Sequence, residues 1–217
     1  MSSTNTKDGF CTPEAVLLPA LLFPPVSYYA VMSAAKCAAI DTEMRYDKSF
    51  KGIHRFTIAD TRGILRLTVP VAHKSGQNKW KEVTVSDHGR WWETMPVALE
   101  SAYGRTPFFE FYIDRFRKLF SPEPVPVTEL CLRADEIVRQ ILLINTPVLN
   151  VDKIEKAKSY LSFDFEKASD FLPQYWQIRK DSLGFIGRLS VLDLIFNLGP
   201  DAVLYLDRLS TNTVDNC

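Results

Sequence analysis

The chain has 217 residues, of which 46% are hydrophobic, and its 26 basic residues equal its 26 acidic residues in number. A chain of this length buries roughly 70% of the surface that its unfolded form exposes, so its core needs no disulfide or metal. The lack of net positive charge argues against nonspecific binding to nucleic acid, since such binding depends on a surplus of Lys and Arg.

The cysteines and the termini indicate where the protein resides. The four cysteines, at positions 11, 37, 131 and 217, form no C-x-x-C pair, which argues against a zinc site and favours reduced thiols in the cytoplasm. The N-terminus lacks the pattern of a signal peptide, and the apolar run at 15–23 is too short to span a bilayer. We expect one domain over residues 13–209, with flexible tails at 1–12 and 210–217 and no cofactor.

The first elements predict a βαβ unit. An apolar strand at 15–18 is followed by Pro24-Pro25, which suits the first turn of a helix. Tyr28, Tyr29 and Met32 then follow at helical spacing, and a second apolar run covers 37–40. A strand, a helix and a second strand in this order favour parallel pairing.

A β-hairpin follows. Strands at 56–59 and 64–71 flank a short turn that ends at Gly63, and Pro70 places the end of the second strand at an edge or a bulge. A polar loop at 74–79 leads to a third strand at 82–86.

The rest of the chain reads as helical. Apolar spacing predicts helices at 91–103, 108–120, 127–143, 153–161, 191–196 and 201–209. Ser190 suits the N-cap of the fifth of these, and Gly199 its C-terminal end. The fold class predicted is therefore α/β, with an N-terminal βαβ unit and a β-hairpin that form a mixed sheet, followed by a largely helical C-terminal half.

A cationic block links the βαβ unit to the hairpin. Within Tyr46-Asp47-Lys48-Ser49-Phe50-Lys51-Gly52-Ile53-His54-Arg55, four side chains are basic. These four, Lys48, Lys51, His54 and Arg55, can gather around a phosphate or a carboxylate, to which the Arg55 guanidinium can bind in bidentate fashion. The alternative interpretation is a solvated loop.

Two further polar positions stand out. His73 directly follows a predicted strand and precedes a flexible loop, which suits either acid–base chemistry or simple exposure. Asp193 and Asn197 lie four residues apart in an apolar helix, so they share one face. They either serve capping and internal hydrogen bonds or form the polar wall of a ligand pocket.

Several blocks together resemble the WbqC-like family, whereas standard nucleotide-binding and hydrolase motifs are absent. The matching stretches, in family order, are Leu21-Leu22-Phe23-Pro24-Pro25-Val26-Ser27-Tyr28-Tyr29, the cationic block, Leu67-Thr68-Val69-Pro70-Val71-Ala72-His73-Lys74, Glu100-Ser101-Ala102-Tyr103-Gly104-Arg105-Thr106-Pro107-Phe108-Phe109 and residues 189–205. Many family members carry a His-Gln-Pro stretch in the first strand. This chain has no histidine there, and it has Ile53-His54-Arg55 in place of the usual Arg-Asn-Arg pattern.

The resemblance implies a role in making bacterial surface polysaccharide, since some family members are encoded among such genes. It implies a ligand site that includes Tyr46, Lys48, Ser49 and Arg55. On this view Lys48 and Arg55 bind an anionic ligand, a sugar nucleotide or an acyl donor. No metal and no nucleic acid is expected, and the oligomeric state is left open.

The remaining polar residues would complete the site. His73 is the candidate base, while Asp193 and Asn197 orient the ligand. Two functions stay open: a group transferase that moves an acyl or aminoacyl group onto a sugar or sugar nucleotide, and a noncatalytic ligand-binding or assembly protein. They differ in whether the cationic block, His73 and Asp193 line one pocket.

Overall fold

The computed structural model describes residues 14–154 and 157–215, with side chains described up to residue 209. The predicted tail at 1–12, Cys11 and Cys217 lie outside these residues. The strands are β1 (Ala15–Pro19), β2 (Cys37–Asp41), β3 (Arg55–Asp60), β4 (Gly63–Thr68), β5 (Val71–Ala72), β6 (Thr84–Val85) and β7 (Lys158–Ser159). The helices are α1 (Val26–Ala34), α2 (Trp91–Tyr103), α3 (Phe109–Arg117), α4 (Val127–Ile141), α5 (Phe165–Ser169), α6 (Lys180–Leu183), α7 (Val191–Leu198) and α8 (Asp201–Asp215).

The predicted βαβ unit is confirmed. Strands β1 and β2 pair in parallel, from Ala15 opposite Cys37 to Pro19 opposite Asp41. Helix α1 connects them and begins directly after Pro25, whose fixed φ suits a helix start. Strand β7 pairs in parallel with the other edge of β1, which gives the order β2-β1-β7.

The predicted hairpin is also confirmed, but it does not join the parallel sheet. Strands β3 and β4 pair antiparallel, and Gly63 after the turn has a φ of 121°, which favours glycine. Strands β5 and β6 form another separate pair. The α/β class is thus confirmed, whereas the expectation of one mixed sheet is wrong. Pro70 lacks an N–H donor and ends the strand predicted at 64–71 early.

The C-terminal half shows further differences from the predicted helices. The segment predicted as a helix at 153–161 instead contributes β7, because Lys158 and Ser159 pair with β1 and Tyr160 N–H donates to the Leu17 carbonyl at 2.8 Å. Tertiary pairing here overrides a short apolar periodicity. Helix α8, predicted to end at residue 209, continues to Asp215, and the short helices α5 and α6 were not predicted.

Helix α7 lies at the centre of the core. Its residues from Val191 to Asn197 are all buried, and the Phe196 ring packs edge-on against Phe109 and Phe116. Ser190 caps the helix as predicted, since its hydroxyl accepts from Leu192 N–H at 3.2 Å. Gly199 ends it at a φ of 55°, where a Cβ would lie only 2.4 Å from the Phe108 ring.

Candidate functional site

A cavity of about 1030 Å³ opens beyond the carboxyl ends of the parallel strands. Pro19 ends β1, Asp41 ends β2, and residues 161–166 follow β7, and all of these line the cavity. This edge of a parallel sheet is where α/β proteins commonly bind ligands. The charged side chains that line it are Asp41, Glu43, Arg45, Asp47, Lys48, Arg55, Asp164, Glu166 and Arg188. Its apolar lining includes Leu21, Leu22, Phe23, Phe50, Phe56 and Phe163.

The first wall is formed by lining residues within the segment 41–52 and is held in place from behind. Tyr46 N–H donates to the Asn78 carbonyl at 2.8 Å, and Trp80 N–H donates to the Met44 carbonyl at 3.0 Å. Glu43 forms ion pairs with Lys79 and Lys81, and the hydrogen bond from Lys79 is the main cause that lowers the pKa of its carboxyl. The wall is therefore fixed to the loop that follows His73.

Arg55 projects from the start of β3. Its Nε donates to Thr68 Oγ1 at 2.9 Å on the neighbouring strand, so the guanidinium is held at a defined angle while its two terminal nitrogens keep their donors. Arg55 and Lys48 both line the cavity, and neither forms an ion pair within residues 14–154 and 157–209. Such cations suit an anionic ligand.

The opposite wall is formed by residues 161–166 together with Arg188 and Ser190. Helix α5 is fixed to the start of α1, because Ser27 Oγ donates to the Phe165 carbonyl at 2.7 Å and Ser27 N–H donates to Ser169 Oγ at 3.1 Å. Arg188 forms a two-pronged ion pair with Asp170. The hydrogen bonding that Arg188 donates to the Asp170 carboxylate is the main cause that raises the pKa of Arg188.

The floor carries a strained residue. Phe23 has a φ of 45°, a left-handed conformation that side chains other than glycine rarely adopt. Its ring is buried and packs edge-on against Phe56 and Phe116, with centroids 5.0 and 5.6 Å away. Core packing thus holds an unfavourable backbone at the cavity, as is frequent at ligand sites.

The structure brings together only some of the predicted site residues. Tyr46, Lys48 and Arg55 line the cavity. Ser49 does not, but its N–H and Oγ both donate to Asp47 Oδ1, at 2.8 and 2.7 Å. The Ser49 hydroxyl bond is the main cause that lowers the pKa of Asp47, so Ser49 supports the wall from outside.

His73 lies behind the cavity wall. Its ring stacks on that of Tyr46, with centroids 3.9 Å apart and planes 12° apart, and its Nε2 lies 3.0 Å from the Gln77 carbonyl. His73 is not part of the lining. The predicted base therefore lies outside the lining, stacked on a residue that belongs to it.

His54 does not belong to the cation cluster that was predicted around the block. It is buried, and its Nδ1 lies 3.0 Å from the Val69 carbonyl. Burial is the main cause that lowers its pKa, which favours the neutral ring. His54 therefore packs beneath the first wall and does not face a ligand.

Asp193 and Asn197 lie apart from the cavity, in a buried cluster of their own. Tyr175 Oη and Gln177 Nε2 each donate to Asp193 Oδ2 at 2.7 Å. Asn197 Nδ2 donates to the Asp193 carbonyl at 2.7 Å, and its Oδ1 accepts from Ile178 N–H at 2.9 Å. Burial raises the pKa of Asp193 to about 6. These contacts fasten residues 175–178 to α7.

Sequence patterns alone did not predict the opposite wall of the cavity. Phe163, Glu166 and Arg188 line the cavity, but they lie in segments for which no element was predicted. One signal was available: Asp164 precedes the apolar Phe165 and caps α5 by accepting from Lys167 N–H at 2.9 Å. A helix of five residues is too short for periodicity to reveal it.

The lining lacks some common catalytic groups. Among residues 14–154 and 157–209, no histidine or cysteine lines the cavity. In the same part of the chain, no group of three His, Cys, Asp or Glu side chains lies close enough to hold a metal ion. No helix of the described chain is long and apolar enough to cross a membrane.

Comparison with known proteins agrees with the resemblance noted from the sequence. The model of the WbqC-like protein family matches residues 20–170, which include β2, the hairpin and most of both cavity walls. Neither curated proteins nor solved structures gave a match. Arg188 and the Asp193 cluster lie beyond the matched residues. Because the matched segment spans more than half of its length, the chain belongs to the WbqC-like protein family.

Proposed function

We propose that the chain binds an anionic sugar derivative, of the sugar-nucleotide type, in the cavity at the strand ends, and acts in the synthesis of bacterial surface polysaccharide. One observation carries the proposal. The same large cavity is lined by Lys48 and Arg55, which have no ion-pair partner among the described residues, and by carboxylates and aromatic rings. The polysaccharide context comes from the family resemblance.

Each part of such a ligand has a counterpart in the lining. Lys48 and Arg55 suit phosphate, to which a guanidinium donates two parallel hydrogen bonds. Carboxylates such as Glu166 accept hydrogen bonds from hydroxyl groups. Phe163, a residue that is 45% exposed, offers an aromatic face to a sugar or a base. The volume also suits a ligand with several chemical parts, since it lies at the upper end of the range for ligand pockets.

A finer version of the proposal makes the chain a transferase that moves an acyl or aminoacyl group onto the bound sugar. Such a reaction needs a base within hydrogen-bond reach of the attacking group. His73 was the predicted base, but it is not part of the lining and stacks on Tyr46, which is. The carboxylates of the lining are better placed for this role.

A second candidate is noncatalytic binding or assembly. It is favoured by one observation, namely that no histidine or cysteine of the described side chains lines the cavity. Under this alternative the chain binds the same class of ligand without changing it. The two candidates therefore share the binding step and differ only in turnover.

Thermal unfolding with nucleotide sugars tests the binding step. UDP-glucose, UDP-N-acetylglucosamine, GDP-mannose and dTDP-glucose serve as probes, and a ligand at about 100 times its Kd adds roughly 2.7 kcal/mol of stability. Ser162→Trp fills the cavity from an exposed lining position and should remove the shift. Ser75→Trp makes the same change in an exposed loop outside the lining and should keep it.

The outcomes separate the candidates. Absence of a shift with every probe, or an equal loss in both tryptophan variants, refutes the proposed site. If binding is observed, mass spectrometry of the sugar after incubation with acetyl-coenzyme A or aminoacyl donors detects transfer. A bound sugar that stays unmodified favours the noncatalytic candidate.

A further inference from the structure

Glu166 occupies a position that its surroundings hold firmly. It lies in α5 between Phe165 and Ser169, whose polar atoms both bond to Ser27. On the other side the backbone at Gly187 approaches so closely that a Cβ there would lie 2.2 Å from the Ser169 carbonyl oxygen. Helix α5 is thus clamped between the start of α1 and the segment before α7. A side chain on so rigid a support suits ligand recognition.

The Glu166 carboxylate is oriented but not neutralised. The buried Thr57 donates through Oγ1 to Glu166 Oε1 at 3.3 Å, while Oε2 has no partner among the described residues. Arg188 lies near enough for Glu166 to contribute to its raised pKa, but that guanidinium is paired with Asp170. One carboxylate oxygen therefore remains available at the cavity surface.

Glu166 and Arg55 place two opposite charges in the same cavity. Thr57 and Arg55 are two residues apart on β3, so their side chains leave the same face of the strand roughly 7 Å apart. Glu166 bonds to Thr57, yet it forms no ion pair with Arg55 among the described contacts. A ligand that contains both a phosphate and hydroxyl groups can satisfy both charges.

We propose that Glu166 is a specificity-determining residue that binds hydroxyl groups of the sugar, so that the site distinguishes a nucleotide sugar from the nucleoside diphosphate alone. This inference rests on the proposed function. The Glu166 carboxylate accepts from one or two sugar hydroxyls, while Arg55 and Lys48 bind the diphosphate. Phe163, which packs edge-on against Phe165 with centroids 5.0 Å apart, covers an apolar face of the sugar.

The test compares matched pairs of probes by calorimetry on the full chain: UDP-glucose with UDP, GDP-mannose with GDP, and dTDP-glucose with dTDP. Glu166→Gln should weaken binding of the nucleotide sugar about tenfold or more, because a neutral amide replaces the charged acceptor of the sugar hydroxyls. Its effect on the nucleoside diphosphate should stay below about twofold. Glu110→Gln makes the same change in the first turn of α3, outside the cavity, and should alter neither affinity.

Two failures are distinguishable. If the wild-type chain binds none of the nucleotide sugars, the proposed function is overturned and this inference with it. If the wild-type chain binds, but Glu166→Gln changes both members of a pair by the same factor or changes neither, the function stands and the role of Glu166 is refuted. Thermal unfolding of the ligand-free variant shows that it is folded.

Discussion

The cavity at the strand ends and the cluster around Asp193 both contain charged and amide side chains, but they use them in opposite ways. In the cluster, the side chains of Asp193 and Asn197 bond to neighbouring groups of the chain and join residues 175–178 to α7. In the cavity, Lys48 and Arg55 have no ion-pair partner among the described residues. Polar groups satisfied internally stabilise a fold, whereas unpaired ones at a surface can bind a ligand.

Removal of the Asp193 side chain should give the largest effect and tests the structural half of this comparison. Asp193→Ala leaves the donors of Tyr175 and Gln177 buried without an acceptor, so we expect a loss of about 3 kcal/mol of unfolding free energy. Urea unfolding at pH 5 measures it. Asp181→Ala, at an exposed position in α6, is the control and should cost less than about 0.5 kcal/mol.

A loss of ligand affinity in Asp193→Ala with unchanged stability would contradict the comparison. The cluster would then belong to the ligand site, as the sequence pattern first suggested. Binding must be measured well below the melting temperature of the variant, so that unfolding does not mimic a loss of affinity.

The pH dependence of stability gives the next largest effect. Burial raises the pKa of Asp193 to about 6 in the folded state, above its usual value of about 3.9 in the unfolded chain. The folded state therefore binds more protons between these values. The stability that Asp193 contributes is fully present below about pH 4 and is lost as the pH rises through about 6, by roughly 2 to 3 kcal/mol.

Comparison with Asp193→Asn isolates this effect. Asp135 has a raised pKa and His54 a lowered one, in both cases mainly through burial, and their contributions cancel in the difference between the two proteins. The unfolding free energy of the wild-type chain minus that of the variant should fall between pH 4 and 7. A constant difference would show that the Asp193 carboxyl is not perturbed as described.

The comparison also shows what could be predicted from the sequence. The strand–helix–strand unit, the hairpin and α7 follow local rules of apolar spacing, turn residues and caps, and they were found where the sequence placed them. The cationic block was predicted to lead into the hairpin, and its last residue, Arg55, is the first residue of β3. These features depend on residues close together in the chain.

What could not be predicted depends on contacts between distant segments. Whether Asp193 faces a ligand or Tyr175 is decided by how residues 175–178 pack on α7, a contact that no local spacing encodes. Strand β7 exists because β1 has a free edge, and Glu166 reaches the cavity because Ser27 holds α5. Likewise, the place of His73 behind the wall follows from stacking on Tyr46, 27 positions earlier in the chain.

Arg55 tests the binding half of the comparison. Arg55→Gln keeps a donor near Thr68 but removes the charge, so we expect affinity for nucleoside diphosphates and nucleotide sugars to fall together by about 2 kcal/mol, roughly thirtyfold. Calorimetry measures both. Arg62→Gln, in the exposed turn of the same hairpin, is the matched control and should leave both affinities intact. A large loss of stability in Arg55→Gln would instead show that Arg55 stabilises the fold, as Asp193 does.

His73 should give the smallest effect and separates a positioning role from catalysis. If its ring only supports Tyr46, His73→Ala removes a stacking contact of about 0.5 to 1 kcal/mol, and affinity for a nucleotide sugar should fall about threefold. His73→Phe keeps an aromatic face and should restore that affinity. In an active transferase, a base at this position would instead leave His73→Phe with normal affinity and no turnover, because phenylalanine stacks on Tyr46 but cannot accept a proton.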